Sequence, residues 1–127
     1  MIAVDTSALM AILVAEPQEA ACLSALQSAE DAVISAGTLA EALVVAAGRN
    51  ISEDMQHLID VLPLRVVEVT PETARRIGRI YAKWGKGIHP AGLNFGDCFA
   101  YDVAKQNNCP LLFIGDDFTR TDIESAL

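Results

Sequence analysis

Short apolar runs take turns with longer helical stretches along most of this chain, and that alternation leaves few folds open. "IAV" at residues 2–4 reads as a buried strand, and "SALMAILVAEP" then carries helical spacing that stops near Pro17. "QEAACLSALQSAE" repeats an amphipathic helical pattern before "AVIS", a second strand-like run at 32–35. The alanine-rich "AGTLAEALVVAAG" reads as a helix closed by Gly48, and residues 51–62 as another, punctuated by Pro63. "RVVEV" (65–69) reads as a strand, and Pro71 suits the first turn of a helix running through "ETARRIGRIYAKW". "GKGIHPAGLNFG" holds four glycines and a proline in twelve residues, a loop by composition. "DCFAYDVAKQNN" returns to helical periodicity, "LLFI" is the last strand, "GDDF" its turn, and "TDIESAL" a terminal helical turn.

Strands alternating with helices imply parallel strands joined by crossovers and covered by helices on both sides. The expected fold is therefore α/β: a three-layer α/β/α sandwich around a central, mainly parallel sheet, in one domain spanning residues 1–127. A hydrophobic fraction of 52% against 20% charged residues argues for a packed core rather than disorder. Apolar stretches such as "ALVVAA" are too short to cross a bilayer, and the three cysteines have no paired spacing for a disulfide framework or zinc site. With no basic-then-apolar leader, a reducing cytoplasmic setting is expected.

In parallel sheets, functional groups gather beyond the carboxyl ends of the strands. Asp5 follows the first strand, and Asp116 and Asp117 follow the last, so all three are expected on one rim. Each acid has a plain structural use as well. Asp5 suits a helix cap, Glu41 a capping box with Thr38, Asp97 the favourable end of a helix dipole, and Asp116/Asp117 a turn. Glu41, however, has Val44, Val45 and Gly48 as neighbours on its helical face, and adjacent carboxylates repel. Clustered carboxylates need raised pKa values or a cation between them. Oxygen-only ligands suit a hard ion, Mg²⁺ or Mn²⁺, and such a site is well matched to phosphodiester hydrolysis by an activated water. A cation would also reconcile the net charge of −8 with a polynucleotide substrate.

"DTSAL" at Asp5, "TLAEAL" at Glu41, "NFGDCFAYDVAKQNNCPLLF" around Asp97 and "IGDDFTRTDI" near the end together resemble the PIN-domain ribonucleases, and more narrowly the VapC toxins of VapBC toxin–antitoxin pairs. The resemblance covers essentially the whole chain. It implies an α/β/α sandwich, Mg²⁺- or Mn²⁺-dependent RNA cleavage, a homodimer, and a VapB-like antitoxin that occludes the site. By the same resemblance Asp5 and Asp97 match the principal metal ligands and Glu41 the second acid. Thr6 and Ser7 match supporting hydroxyls. Family members often read Gly-Asn-Asp-Phe near the end, which aligns Asp117 with the fourth acid and leaves Asp116 as its polar neighbour. Both stay candidates.

Arg75, Arg79, Lys83 and Lys86 recur at steps of four, four and three, with Arg76 beside them. Basic helix faces commonly serve only solvation. Here the stripe enters a loop with Trp84 and His89, and this edge is a candidate RNA contact in which Trp84 stacks on an unpaired base. Trp84 is equally suited to anchoring the core or a dimer. His57 and His89 form no catalytic pair, and Cys98 is expected in the core. The enzymatic rival is a haloacid-dehalogenase-like phosphatase with Asp5 as nucleophile, but its chemistry wants a second acid where Ser7 stands. A response-regulator receiver would need a lysine that "LLFIGDD" lacks. An inactive interaction module of the same fold is the non-enzymatic alternative.

Overall fold

The computed structural model describes all 127 residues. Four strands, β1 (Ile2–Val4), β2 (Ala32–Ser35), β3 (Leu64–Val67) and β4 (Leu111–Leu112), form one sheet in the order β3-β2-β1-β4. Every neighbouring pair is parallel. Six helices make the crossovers: α1 (Thr6–Leu13), α2 (Glu19–Ser28), α3 (Ala36–Gly48), α4 (Ser52–Val61), α5 (Pro71–Trp84) and α6 (Phe95–Gln106).

Side-chain alternation along the short strands divides the interior into two cores. Val4, Ala32, Ile34 and Leu112 point to one face, where they meet Leu9, Met10 and Ile12 of α1, Cys22 and Leu26 of α2, Ala42 and Ala46 of α3, and Met55 of α4. Ala3, Val33 and Leu111 point to the other, against Ile77 of α5 and Cys98, Tyr101 and Val103 of α6. The pairing register agrees, with Ala3 opposite both Val33 and Leu111, and Val4 opposite Leu112. Three layers follow directly. Each buried Leu, Ile or Met adds about 1.5–3 kcal/mol relative to exposure. The apolar runs of α1 and α2 are spent largely on this core. No helix is long and apolar enough to cross a membrane.

Several sequence expectations need correction. The final segment is extended, with no helical turn: Leu111 N–H donates to Glu124 O at 2.9 Å and Ala126 N–H to Leu111 O at 2.9 Å. The reason is the free edge of β4, whose Leu111 backbone faces away from β1 and takes the tail as its partner. β4 itself stops at Leu112 because the next backbone amide in line, that of Ile114, is claimed by the Ser7 side chain at 3.0 Å. α6 begins at Phe95, inside the glycine-rich stretch, because Asn94 caps it. Left-handed backbone after α3 falls on Asn50 (φ 58°), not on Gly48.

Candidate active site

Asp5 caps α1 in extended backbone conformation at the carboxyl end of β1. Its Oδ2 accepts from Ser7 N–H at 3.1 Å and from Ser7 Oγ at 2.6 Å. The Ser7 hydroxyl accepts in turn from Ile114 N–H, so one side chain ties the first acid to the end of β4. The side chain of Asp5 is 5% exposed, and its Oδ1 is buried without a hydrogen-bond partner. An orphaned buried carboxylate oxygen is costly, and here burial, with a smaller push from Glu41, holds the Asp5 carboxyl above the usual range despite the Ser7 hydrogen bonds.

Asp97 stands at the third position of α6 in a reciprocal capping box. Its N–H donates to Asn94 Oδ1 at 2.8 Å, and its Oδ2 accepts from Asn94 N–H at 3.0 Å. Burial pushes its pKa up to about 7, opposed by the Asn94 amide and reinforced by Asp5, Asp117 and Glu41. Those three charges converge on it. Asp116 is not among them, and both Asp116 and Asp117 are solvent-exposed on the turn after β4. Of the two adjacent acids, Asp117 is the one whose charge acts on Asp97.

Glu41 is placed by α3. Its Oε1 accepts from Thr6 Oγ1 at 2.6 Å, and its carboxylate lies directly over Gly96, where any Cβ would collide with it. The capping-box use with Thr38 does not occur, since Ser35 caps α3 through Gly37 N–H. The face bearing Glu41 is also not buried: Val44 is 72% exposed and Val45 is exposed beside it. The expectation of an apolar packed face around Glu41 is wrong because α3 spends its buried positions on Thr38, Ala42 and Ala46 instead.

The charges of Asp5, Glu41 and Asp117 thus all act on Asp97, and the hydroxyls of Thr6 and Ser7 hold Glu41 and Asp5. The acids stop short of a preformed coordination shell, because no three stand within common ligating reach. The donor set nevertheless fits a hard divalent cation: all ligands are oxygen, and Asp5 Oδ1 has no protein partner. Asp5 and Asp97 are buried, Glu41 is half-buried and Asp117 is exposed, and none of the surface cavities is lined by these acids. Ser7 leaves no second acid for a phosphoaspartate mechanism at Asp5.

The basic helix divides in two. Arg75, Arg79 and Lys83 are exposed on α5 and make no ion pair, and exposed Lys86 lies just past its end in the loop. Arg76 instead turns inward to buried Asp102, with Nε–Oδ1 at 2.6 Å and Nη2–Oδ2 at 3.1 Å. Trp84 is not a free stacking platform. Its indole N–H donates to Tyr101 Oη at 3.0 Å, His89 meets its ring edge-on at 4.7 Å, and Lys83 Nζ sits 5.0 Å from its centroid. Packed against the α6 core, it is an anchor. The exposed aromatic near the acids is Phe95, which sequence reasoning missed; the only signal was its place two residues before Asp97.

The family model described as PIN domain matches residues 2–124. The chain belongs to the PIN-domain family. Among curated PIN relatives, ribonuclease VapC28 of Mycobacterium tuberculosis is 41% identical over 128 residues, covering 98% of this chain and 96% of its own. Among solved PIN structures, the Mycobacterium tuberculosis toxin VapC20, described as cleaving the sarcin–ricin loop, superposes with a TM-score of 0.79 at 16% identity, covering 97% of this chain and 96% of that one. VapBC2 from Rickettsia felis, bound to a DNA fragment from its promoter, superposes with a TM-score of 0.73 at 18% identity, covering 98% and 96%. At those identities the two structural likenesses bear on the PIN fold.

Proposed function

We propose that this protein is a metal-dependent endoribonuclease, the toxin of a toxin–antitoxin pair, that hydrolyses RNA phosphodiester bonds with Asp5, Glu41, Asp97 and Asp117 as its acidic centre. The observation that carries this is the burial of Asp5 and Asp97 where the charges of Glu41 and Asp117 also act, with one carboxylate oxygen of Asp5 orphaned. Relatives named as VapC ribonucleases over nearly the whole chain support the substrate class.

Asp5 and Asp97 would hold the ion, Mg²⁺ with Mn²⁺ able to substitute. Such a cation supplies, when bound, a lowered pKa for the attacking water and screening of charge on the phosphate. The chain's own residues do the rest. Ser7 and Asn94 fix one oxygen each of Asp5 and Asp97, leaving the other oxygen of each carboxylate for the ion. Thr6 orients Glu41, whose free oxygen can accept a proton from water, and Asp117 adds negative charge at the outer edge. Exposed Arg75, Arg79, Lys83 and Lys86 attract the sugar–phosphate chain to the neighbouring edge. The end of α5 is tied to the start of α6 by backbone: Leu93 N–H donates to Trp84 O at 3.0 Å, one residue before the Asn94 cap.

A VapB-like antitoxin as partner is supported by the VapBC complex among the structural neighbours. A second copy of the chain and a cytoplasmic site of action complete the proposal. The deciding experiment expresses the unmodified protein and Asp5→Asn in a bacterial host, scoring growth arrest and sequencing new RNA 5′ ends. Arrest with discrete ends for the first and neither for the second is expected. Equal behaviour of the two would overturn the assignment.

A further inference from the structure

Phe95 is 68% exposed although it occupies the first turn of α6, at the acidic rim. Singly exposed apolar residues are ordinary and need no explanation by themselves. Three further observations distinguish this one. The residue after it, Gly96, carries the Glu41 carboxylate on its Cα, and the residue after that is Asp97, so Glu41 lies between Phe95 and Asp97 around the helix. The ring is also held in place: it meets Phe99 edge-to-face, centroids 5.1 Å apart at 82°. Phe99 in turn lies over Gly37, where a Cβ would strike its ring. An edge-to-face contact covers at most one side of Phe95, and the exposure leaves the other open to solvent.

A fixed, open aromatic face beside a phosphodiester-cleaving centre matches what unpaired nucleobases need, since every base has a π-face to stack. We propose that Phe95 is a substrate-binding residue that stacks an unpaired base flanking the scissile phosphate, so that the RNA is held between this ring and the basic edge of α5. Trp84, the more obvious aromatic, is engaged by Tyr101, His89 and Lys83. The assignment presupposes the ribonuclease function proposed above and adds that the cleaved nucleotide lies in a single-stranded or unstacked segment.

The test uses a short RNA spanning whichever site end-sequencing of total RNA reveals, cleaved by the purified unmodified protein and by Phe95→Ala, Phe95→Leu and Phe95→Trp. Phe95→Ala should raise KM about 5- to 150-fold with kcat little changed, the range expected for loss of one stacked base. Phe95→Trp should restore KM and Phe95→Leu should not, which separates stacking from general apolar contact. An abasic nucleotide beside the cleaved bond should cost the unmodified protein a similar factor and cost Phe95→Ala nothing further. An unchanged KM in Phe95→Ala, or full rescue by leucine, overturns the assignment while leaving the nuclease function standing. So does a shift in oligomeric mass by light scattering with KM unmoved, which would place Phe95 in a protein interface. No cleavage of any RNA by the unmodified protein overturns both.

Discussion

The acidic group at the end of β1 and the basic residues of α5 carry charge in opposite ways. Asp5 and Asp97 are buried, each is held above the usual carboxylate range chiefly by that burial, and they are fixed by Ser7 and Asn94. Arg75, Arg79, Lys83 and Lys86 are spread along an exposed surface, with no carboxylate paired to them. Concentrated, desolvated charge invites a cation; dispersed, solvated charge attracts a polyanion and is screened by salt. A net charge of −8 describes neither region. Placement decides the partner.

Four experiments break or sharpen this contrast, beginning with the largest effect. Arg76 is the basic residue of α5 that behaves like the rim, because it is paired to buried Asp102. Arg76→Ala should lower stability by about 3–5 kcal/mol in urea unfolding by stranding that carboxylate, whereas Arg79→Ala should leave stability within about 0.5 kcal/mol. Equal effects would erase the division of the helix. Gly96→Ala forces a Cβ into the Glu41 carboxylate; RNA cleavage should fall on the order of 100-fold, with the fold kept by circular dichroism.

Arg79→Glu should weaken RNA binding on the order of tenfold at low salt and reduce the slope of log affinity against log salt by about one. Its melting temperature should not move. The smallest effect concerns protonation. Asp97 titrates near 7 when folded, above its value of 3.8 when unfolded, so the folded metal-free protein binds the extra proton between those limits. Its contribution therefore costs stability progressively as pH rises from about 4 to about 7. Asp97→Asn should raise the metal-free melting temperature at pH 7.5, on the order of 1 kcal/mol of stability, and the gain should vanish near pH 4. In the unmodified protein, Mn²⁺ binding measured by calorimetry should release protons and tighten from pH 6 to pH 8.

Local signals were legible where one principle acted alone. β2 and α3 occupy residues 32–35 and 36–48 as periodicity implies, and the parallel alternation sets Asp5 directly after β1 and Asp117 in the turn beyond β4. Sequence pattern failed where tertiary contacts chose between uses of a residue. Trp84 and Phe95 are both aromatics at the ends of helices; only the packing of Tyr101 against one and the crossing of α3 and α6 beneath the other decide which ring is open. Glu41 drew notice through its neighbours on a face that proves exposed; its actual contacts are Thr6 and the α6 backbone at Gly96, which no local pattern announces. Arg76 looked like part of a surface stripe because nothing twenty-six positions away announces that Asp102 is waiting for it.

β1 lies in the interior of the sheet, and β4, which flanks it, follows every other strand and helix of the fold in chain order. Until the ribosome has released residues 111–114, the first strand lacks a neighbour on one side and the Ser7 hydroxyl has no Ile114 amide to hold. The N-terminal strand and the helix cap beside it are therefore completed only when the far end of the fold arrives.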